Sequence, residues 1–159
     1  MSLHVPVDIH TPSQLSTAVA QLQTYRNELR DLTIRAKVQK QKRAELPELS
    51  ETLTGILHSN NIAADSDSQL ESLQHDLNTA LKTAPVMHIT LAATAGRTLK
   101  RQLTVWFRTQ IHPLCLLTFA TRGDIGGGII LQAGSHLYDY SFKDRLLANK
   151  SRLTEVSDV

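Results

Sequence analysis

Apolar residues in the first half of the chain recur at helical spacing. A start signal precedes them: Thr11 is a capping residue, Pro12 suits the first helical position, and Gln14 completes a capping box. Two heptad series then interleave, namely Leu15, Leu22, Leu29 and Ala18, Tyr25, Leu32. The pattern predicts a helix and fits a coiled coil or an ordinary bundle helix equally well. Its basic continuation to about Ala44 is interpreted either as a solvated face or as a docking face for an acidic partner.

Two shorter helices are predicted to follow. Pro47 marks the start of one that runs to about His58. Ser68 and Glu71 have the spacing of a capping box for the next, which runs to about Lys82. The leucines of this last helix share one face, and they are Leu70, Leu73, Leu77 and Leu81. All three helices are therefore amphipathic enough to pack together.

The periodicity changes at Val86, where the apolar residues begin to alternate. The predicted elements are strand 86–93, helix 98–110, strands 114–120, 128–132 and 136–139, and a last helix from Phe142 to about Val156. We therefore expect an α+β fold with two domains. Residues 1–84 are predicted to form a helical bundle or hairpin, and residues 85–159 a small α/β domain of order strand-helix-strand-strand-strand-helix.

Side-chain patterns add detail to this second domain. The run at 114–120 is continuously apolar, which predicts a central strand. Within it Cys115, the only cysteine, is predicted to be a small buried hydrophobe. Gly134 is expected in the tight turn of a β-hairpin. The helix at 98–110 is predicted to turn four apolar side chains inward, and these are Leu99, Leu103, Trp106 and Phe107.

Composition narrows the class of protein. The net charge of +2 is too small to argue for nucleic acid by itself, although a basic balance allows an acidic partner. A single cysteine rules out a disulfide within the chain, which fits a reducing compartment. No apolar segment approaches the ~20 residues needed to cross a bilayer. We expect a soluble protein without a direct membrane span.

Candidate chemistry is sparse. None of the seven histidines pairs with another at compact zinc spacing, so no metal site is predicted. His136, Asp139 and Ser141 are close in sequence, but His136 and Asp139 would point to opposite faces of a strand. The glycine run 126–128 leads into a strand, whereas a phosphate-binding loop leads into a helix. We therefore predict no catalytic residue, no cofactor and no enzyme activity. Binding of single-stranded nucleic acid combines basic residues with exposed aromatic side chains on which bases stack. The helix at 98–110 has basic residues, but its Trp106 is predicted to lie in the core, so we predict no nucleic-acid partner.

The second domain resembles the C-terminal region of the delta subunit of F-type ATP synthases, whose mitochondrial equivalent is the oligomycin-sensitivity-conferring protein. The family pattern is an acidic residue before Ile-Gly-Gly, an apolar strand, a glycine turn, a strand ending in Asp-x-Ser, and a helix with a basic residue before Leu. The positions that match are Asp124, Gly126, Gly127, Gly134, Asp139, Ser141, Arg145 and Leu146. The resemblance covers roughly residues 86–153. The N-terminal half is divergent, because the family has a six-helix bundle where this chain has about three predicted helices.

The resemblance implies a mechanical function. The chain would be a non-catalytic subunit of the peripheral stalk, or stator, and would hold the catalytic head against rotor torque during proton-driven ATP synthesis. Its partners would be the alpha subunit of the head and the b-type stalk subunit, at the cytoplasmic face of the cell membrane. Two alternatives stay open: a stalk subunit similar to the E subunit of V/A-type ATPases, which shares a Gly-Gly signature, and a stand-alone basic binding module.

Overall fold

The computed structural model describes residues 3–40 and 45–144, and it has an α+β fold, as the sequence predicts. The chain divides into two compact units, Met1–Ala84 and Pro85–Val159. The helices are α1 (Pro12–Val38), α2 (Glu51–Ser59), α3 (Asp67–Thr83) and α4 (Arg97–Gln110). The strands are β1 (Val86–Leu91), β2 (Leu116–Thr121), β3 (Gly128–Ala133) and β4 (His136–Ser141). The predicted last helix lies outside the described residues from position 145 onward.

Helix α1 begins as predicted and ends early. The Thr11 hydroxyl accepts from the Gln14 N–H at 3.1 Å, and the Gln14 side chain accepts from the Thr11 N–H at 3.1 Å, so the capping box is complete. The helix ends at Val38, and Lys40 takes the left-handed backbone conformation, φ 54°. The predicted continuation toward Ala44 is therefore wrong at residues 39–40, because a left-handed residue cannot continue a right-handed helix. Ala44 itself lies outside the described residues.

The starts of α2 and α3 differ from the predictions. Ser50 caps α2 by accepting from the Leu53 N–H at 3.2 Å, so the helix starts at Glu51, four residues after Pro47. Ser66 is the N-cap of α3, and Ser68 lies within the first turn, where its hydroxyl cannot act as a cap. The predicted Ser68–Glu71 capping box is therefore wrong. The apolar stripes are confirmed, and their buried members include Leu15, Leu22, Leu29, Leu53, Ile56, Leu57, Leu70, Leu73 and Leu77.

A buried arginine joins α1 to α3, which the apolar pattern gave no reason to expect. Arg26 is 6% exposed, and its Nε lies 3.0 Å from Asp67 Oδ1. Its Nη1 donates to Gln74 Oε1 at 2.6 Å, and its Nη2 lies 3.2 Å from Glu71 Oε2. Arg30 Nη2 pairs with the second Asp67 oxygen at 3.0 Å. Burial acts to raise the pKa of Asp67, but hydrogen bonds from Arg30 and Arg26 outweigh it and leave that pKa below its ordinary value.

The four strands form one mixed sheet in the order β2-β1-β3-β4. Strands β1 and β2 are parallel, in register from Val86 with Leu116, while β1 and β3 are antiparallel with Ile89 opposite Leu131. The prediction that the run at 114–120 is a central strand is wrong, because β2 lies at the edge and β1 is inside. Only the first half of β2 is buried, so its apolar start reflects local packing more than a central position.

Helix α4 joins the two parallel strands and covers one face of the sheet. Phe107 packs there with Ile89, Cys115 and Leu117. Cys115 is 1% exposed, which confirms the prediction that it is a buried hydrophobe. Trp106 is 52% exposed and Leu99 is 41% exposed, so the prediction that both turn inward is wrong. The reason is that consecutive helical residues differ by ~100°, so Trp106 points away from the core when Phe107 fills it.

Candidate functional site

The glycine run forms the entry to β3. Gly126, Gly127 and Gly128 have φ values of 67°, 130° and 82°, a region that only glycine adopts without strain. A short 3₁₀ turn, Gly123–Ile125, precedes them, and Gly126 is its left-handed cap. Strand β3 follows at Gly128, whereas a loop that binds phosphate leads into a helix whose N–H groups face the anion. The run shapes the backbone and offers no phosphate cradle.

This loop is fastened to the end of β4. A Cβ on Gly128 would overlap the carbonyl oxygen of Tyr140 and would lie 2.9 Å from the Cα of Ser141. A Cβ on Gly127 would lie 2.9 Å from Cδ2 of Phe142. The Phe142 N–H also donates to the Gly127 carbonyl at 3.0 Å. The absence of side chains at these two glycines therefore allows the two backbones to approach each other.

The two acidic signature residues are engaged within the same end of the sheet. Asp124 forms a two-point ion pair with Arg122, with contacts of 3.1 Å and 2.6 Å. Asp139 Oδ1 accepts from the Ser141 N–H at 2.8 Å. The hydrogen bonds from Arg122 lower the pKa of Asp124, and those from Ser141 lower the pKa of Asp139. Both carboxylates are therefore ionised at neutral pH, and neither can act as a general acid.

Five of the predicted signature residues meet at this end of the sheet, and these are Asp124, Gly126, Gly127, Asp139 and Ser141. Gly134 lies at the opposite end of the β3–β4 hairpin, in the two-residue turn, with φ 57°. Gln132 Nε2 donates to the Gly134 carbonyl at 3.2 Å and closes that turn. Arg145 and Leu146 lie outside the described residues.

Two residues at this end were missed by the sequence reasoning. Arg122 neutralises Asp124, and its charge also helps to lower the pKa of Asp139. Gly128 makes the closest approach to β4, although the family pattern singled out Gly126 and Gly127. The position of Arg122 two residues before Asp124 was the available signal for the first. The predicted hairpin pairs β3 with β4, but only the register of the structure places Gly128 opposite Ser141 at the point of closest approach.

Other candidate reactive groups do not assemble. Across residues 3–40 and 45–144, no group of three or more His, Cys, Asp or Glu residues could hold a metal ion. His88 Nδ1 is hydrogen-bonded to Thr118 Oγ1 at 2.6 Å, across the β1–β2 pair. Burial raises the pKa of the Cys115 thiol despite the nearby Arg108 charge, so the thiol is neutral at pH 7 and poorly nucleophilic.

The outer side of α4 is an apolar surface with a basic end. A shallow depression of about 480 Å³, open to solvent, lies along it and is lined by residues of α4 alone: Arg101, Gln102, Val105, Trp106, Thr109 and Gln110. Val105 is 46% exposed, and the Trp106 ring packs edge-on against Phe107 with ring centroids 4.9 Å apart. The indole is therefore anchored to the core on one side and open on the other. We call this surface the α4 groove.

Strand β4 adds further exposed aromatic area. Tyr138 lies opposite Leu131 and Tyr140 opposite Ile129, so both share the sheet face that carries α4. Both are half-exposed or more. The α/β unit therefore exposes apolar side chains on two elements, α4 and β4.

Comparison with known proteins gives no family assignment. No protein-family model matches the chain, and no curated protein matches it significantly. In the part of the chain that the structure describes, no helix is long and apolar enough to cross a membrane. Functional reasoning therefore depends on the residues themselves and on the sequence resemblance.

Proposed function

We propose that the chain is a non-catalytic peripheral-stalk subunit of a rotary F-type ATP synthase. It would link the catalytic head to the b-type stalk at the cytoplasmic face of the cell membrane. The helical unit would bind the alpha subunit of the head, and the α/β unit would bind the stalk. It would need no cofactor, because its contribution is to transmit force.

The observation that supports this proposal most is how the signature residues are used. Asp124 is paired within its own loop and Asp139 within the end of β4, while Gly127 and its neighbour Gly128 bring the loop against the end of β4. A hairpin held at one end by backbone contacts and at the other by a glycine turn is rigid, and rigid elements hold a partner's position better than loops.

Co-purification tests the proposal. A tagged chain is expressed at its natural level, and membranes are extracted with a mild detergent. We expect the tag to retain the alpha and b-type subunits in fixed ratio. Recovery of the chain free of every synthase subunit would refute the proposal. Retention of V/A-type catalytic subunits would instead support the E-like alternative.

One observation favours a second candidate, a stand-alone basic module that binds single-stranded nucleic acid. The exposed Trp106 beside Arg101 provides the aromatic platform that the sequence reasoning placed in the core. Such binding would weaken steeply with salt. A titration of labelled oligo-dT at low salt with no change in signal would remove this candidate.

A further inference from the structure

We propose that the α4 groove binds an amphipathic helix whose carboxylates lie beside Arg97 and Arg101. This inference names the surface and the chemistry of the partner, and it rests on the proposed function for the source of that helix, the stalk.

The charge of α4 is of one sign. Within Arg97–Gln110 there are four basic residues and no acidic residue. Two of the four cations are already used: Lys100 lies 5.5 Å from the centre of the Phe119 ring, and Arg108 Nε donates to the Cys115 carbonyl at 3.3 Å. Arg97 and Arg101 are exposed and one turn apart. A partner therefore gains most from acidic groups at the N-terminal end of the groove.

The length of the α4 groove suits a short helix. Its lining residues are spaced as pairs one turn apart along α4, from Arg101 to Gln110, a length of roughly 14 Å at 1.5 Å per residue. That length matches between two and three turns of a partner helix. Val105 and Trp106 form an apolar centre, and Gln102, Thr109 and Gln110 form a polar rim, the usual anatomy of a protein interface.

The anchoring of Trp106 favours a protein partner over a nucleic acid. Its edge-on contact with Phe107 fixes the ring before binding, which reduces the entropy lost on association. Among the residues that line the groove it is the only aromatic, whereas a single strand needs successive platforms for its bases. Tryptophan and arginine together are also the side chains most enriched at interface hot spots.

The groove carries its own spectroscopic reporter, because Trp106 is the only tryptophan in the chain. The full chain is titrated with a synthetic helical peptide that has a leucine stripe, glutamates on its flanks and no aromatic residue. We expect saturable binding and a shift of the emission to shorter wavelength. A peptide with lysine in place of each glutamate, and oligo-dT at the same salt, should bind at least about tenfold more weakly.

Two variants localise the binding. Val105→Asp and Arg101→Glu should each weaken the acidic peptide by about tenfold or more, with an unchanged far-ultraviolet spectrum. Arg35→Glu is the matched control, since Arg35 is an exposed arginine on α1, and it should leave the affinity unchanged. The inference is overturned if the acidic peptide leaves Trp106 emission unchanged, if oligo-dT binds more tightly, or if Arg35→Glu weakens binding as much as Arg101→Glu.

A crosslinking experiment separates this inference from the proposed function. A photoreactive amino acid replaces Val105 in the cell, and a second strain carries it at the exposed Ile34 of α1. If the chain co-purifies with the synthase and Val105 crosslinks to an acidic amphipathic segment of the stalk, both proposals are supported. Co-purification without that crosslink refutes the inference alone. Peptide binding by a chain that purifies without the synthase refutes the proposed function alone.

Discussion

Replacing Gly128 with alanine should be the most damaging single-methyl change in the glycine loop. The residue has φ 82°, and left-handed backbone costs an L-residue about 1–2 kcal/mol. The new Cβ would overlap the Tyr140 carbonyl oxygen and approach the Ser141 Cα to 2.9 Å, and both neighbours are backbone of the paired strand. Forcing packed groups apart costs a further ~1–3 kcal/mol. We expect a total loss of about 2–5 kcal/mol.

Gly134→Ala is the matched control. Gly134 also has a positive φ, 57°, but no atom lies within 4 Å of its Cβ position. Only the conformational cost of about 1–2 kcal/mol applies there. Gly127→Ala should fall between the two, because its Cβ would meet the side chain of Phe142, which can move more easily than backbone.

Urea unfolding followed by Trp106 fluorescence measures these changes. Because the chain has two units, a single transition is not assumed, and the only tryptophan reports on the second unit alone. Far-ultraviolet circular dichroism, dominated by α1 to α3, should show that the helical unit is unaffected. If Gly128→Ala lowers the unfolding free energy of the second unit no more than Gly134→Ala does, the close approach of the two backbones is refuted.

Three further predictions concern buried or paired groups. Arg26→Met should destabilise the helical unit by about 1–3 kcal/mol in urea unfolding, less than the loss of a fully buried ion pair, because the acidic partners of Arg26 are partly exposed. Arg30→Met, at an exposed position, should cost at most ~1 kcal/mol. Equal losses would contradict the special role of the buried Arg26 in joining α1 to α3. The pKa of Asp67 is lowered in the folded state, so its carboxylate stabilises the fold fully above the unfolded pKa of about 3.9, and this stabilisation is lost as the pH falls through the folded pKa. Asp67→Asn should therefore flatten the acid side of a plot of unfolding free energy against pH. An unchanged slope would refute the linkage. Cys115 should react with a thiol reagent only in urea, because burial raises its pKa and blocks access; rapid labelling of the folded chain would show otherwise.

The helical half illustrates what periodicity can predict. Leucine spacing located α1 and the buried faces, because an apolar repeat near 3.6 residues places its members on one face of a helix. The ends were harder to predict. The sequence prediction took Pro47 as the start of α2, and the packed structure selects Ser50 as its cap, whose hydroxyl also donates to Gln21 at 3.0 Å. Lys40 ends α1 without a glycine, so no residue type announced it.

The sheet shows where a single sequence is insufficient. An apolar run indicates burial, but the start of β2 is buried although the strand has a neighbour on one edge only. The sequence also did not tell whether β3 would pair with β1 or with β2. Trp106 and Phe107 are equally apolar in sequence, so the pattern could not tell which one enters the core. The close approach of Gly128 depends on the register of β3 with β4, whereas the pairing of Arg122 with Asp124 is local and was available from the sequence.

These limits bear on how the resemblance relates to function. The signature residues that the structure describes contact one another or their own loop, so they specify the shape of the second unit and leave its partner surface undefined. A surface for binding must then be sought among residues outside the signature, and α4 offers exposed apolar area and the exposed charges of Arg97 and Arg101. The two kinds of residue should separate by experiment. Gly128→Ala should lose folding and crosslinking together, whereas Val105→Asp should lose peptide binding with the fold intact. Loss of folding in both variants would mean that the α4 groove is a structural surface and would leave the partner site elsewhere.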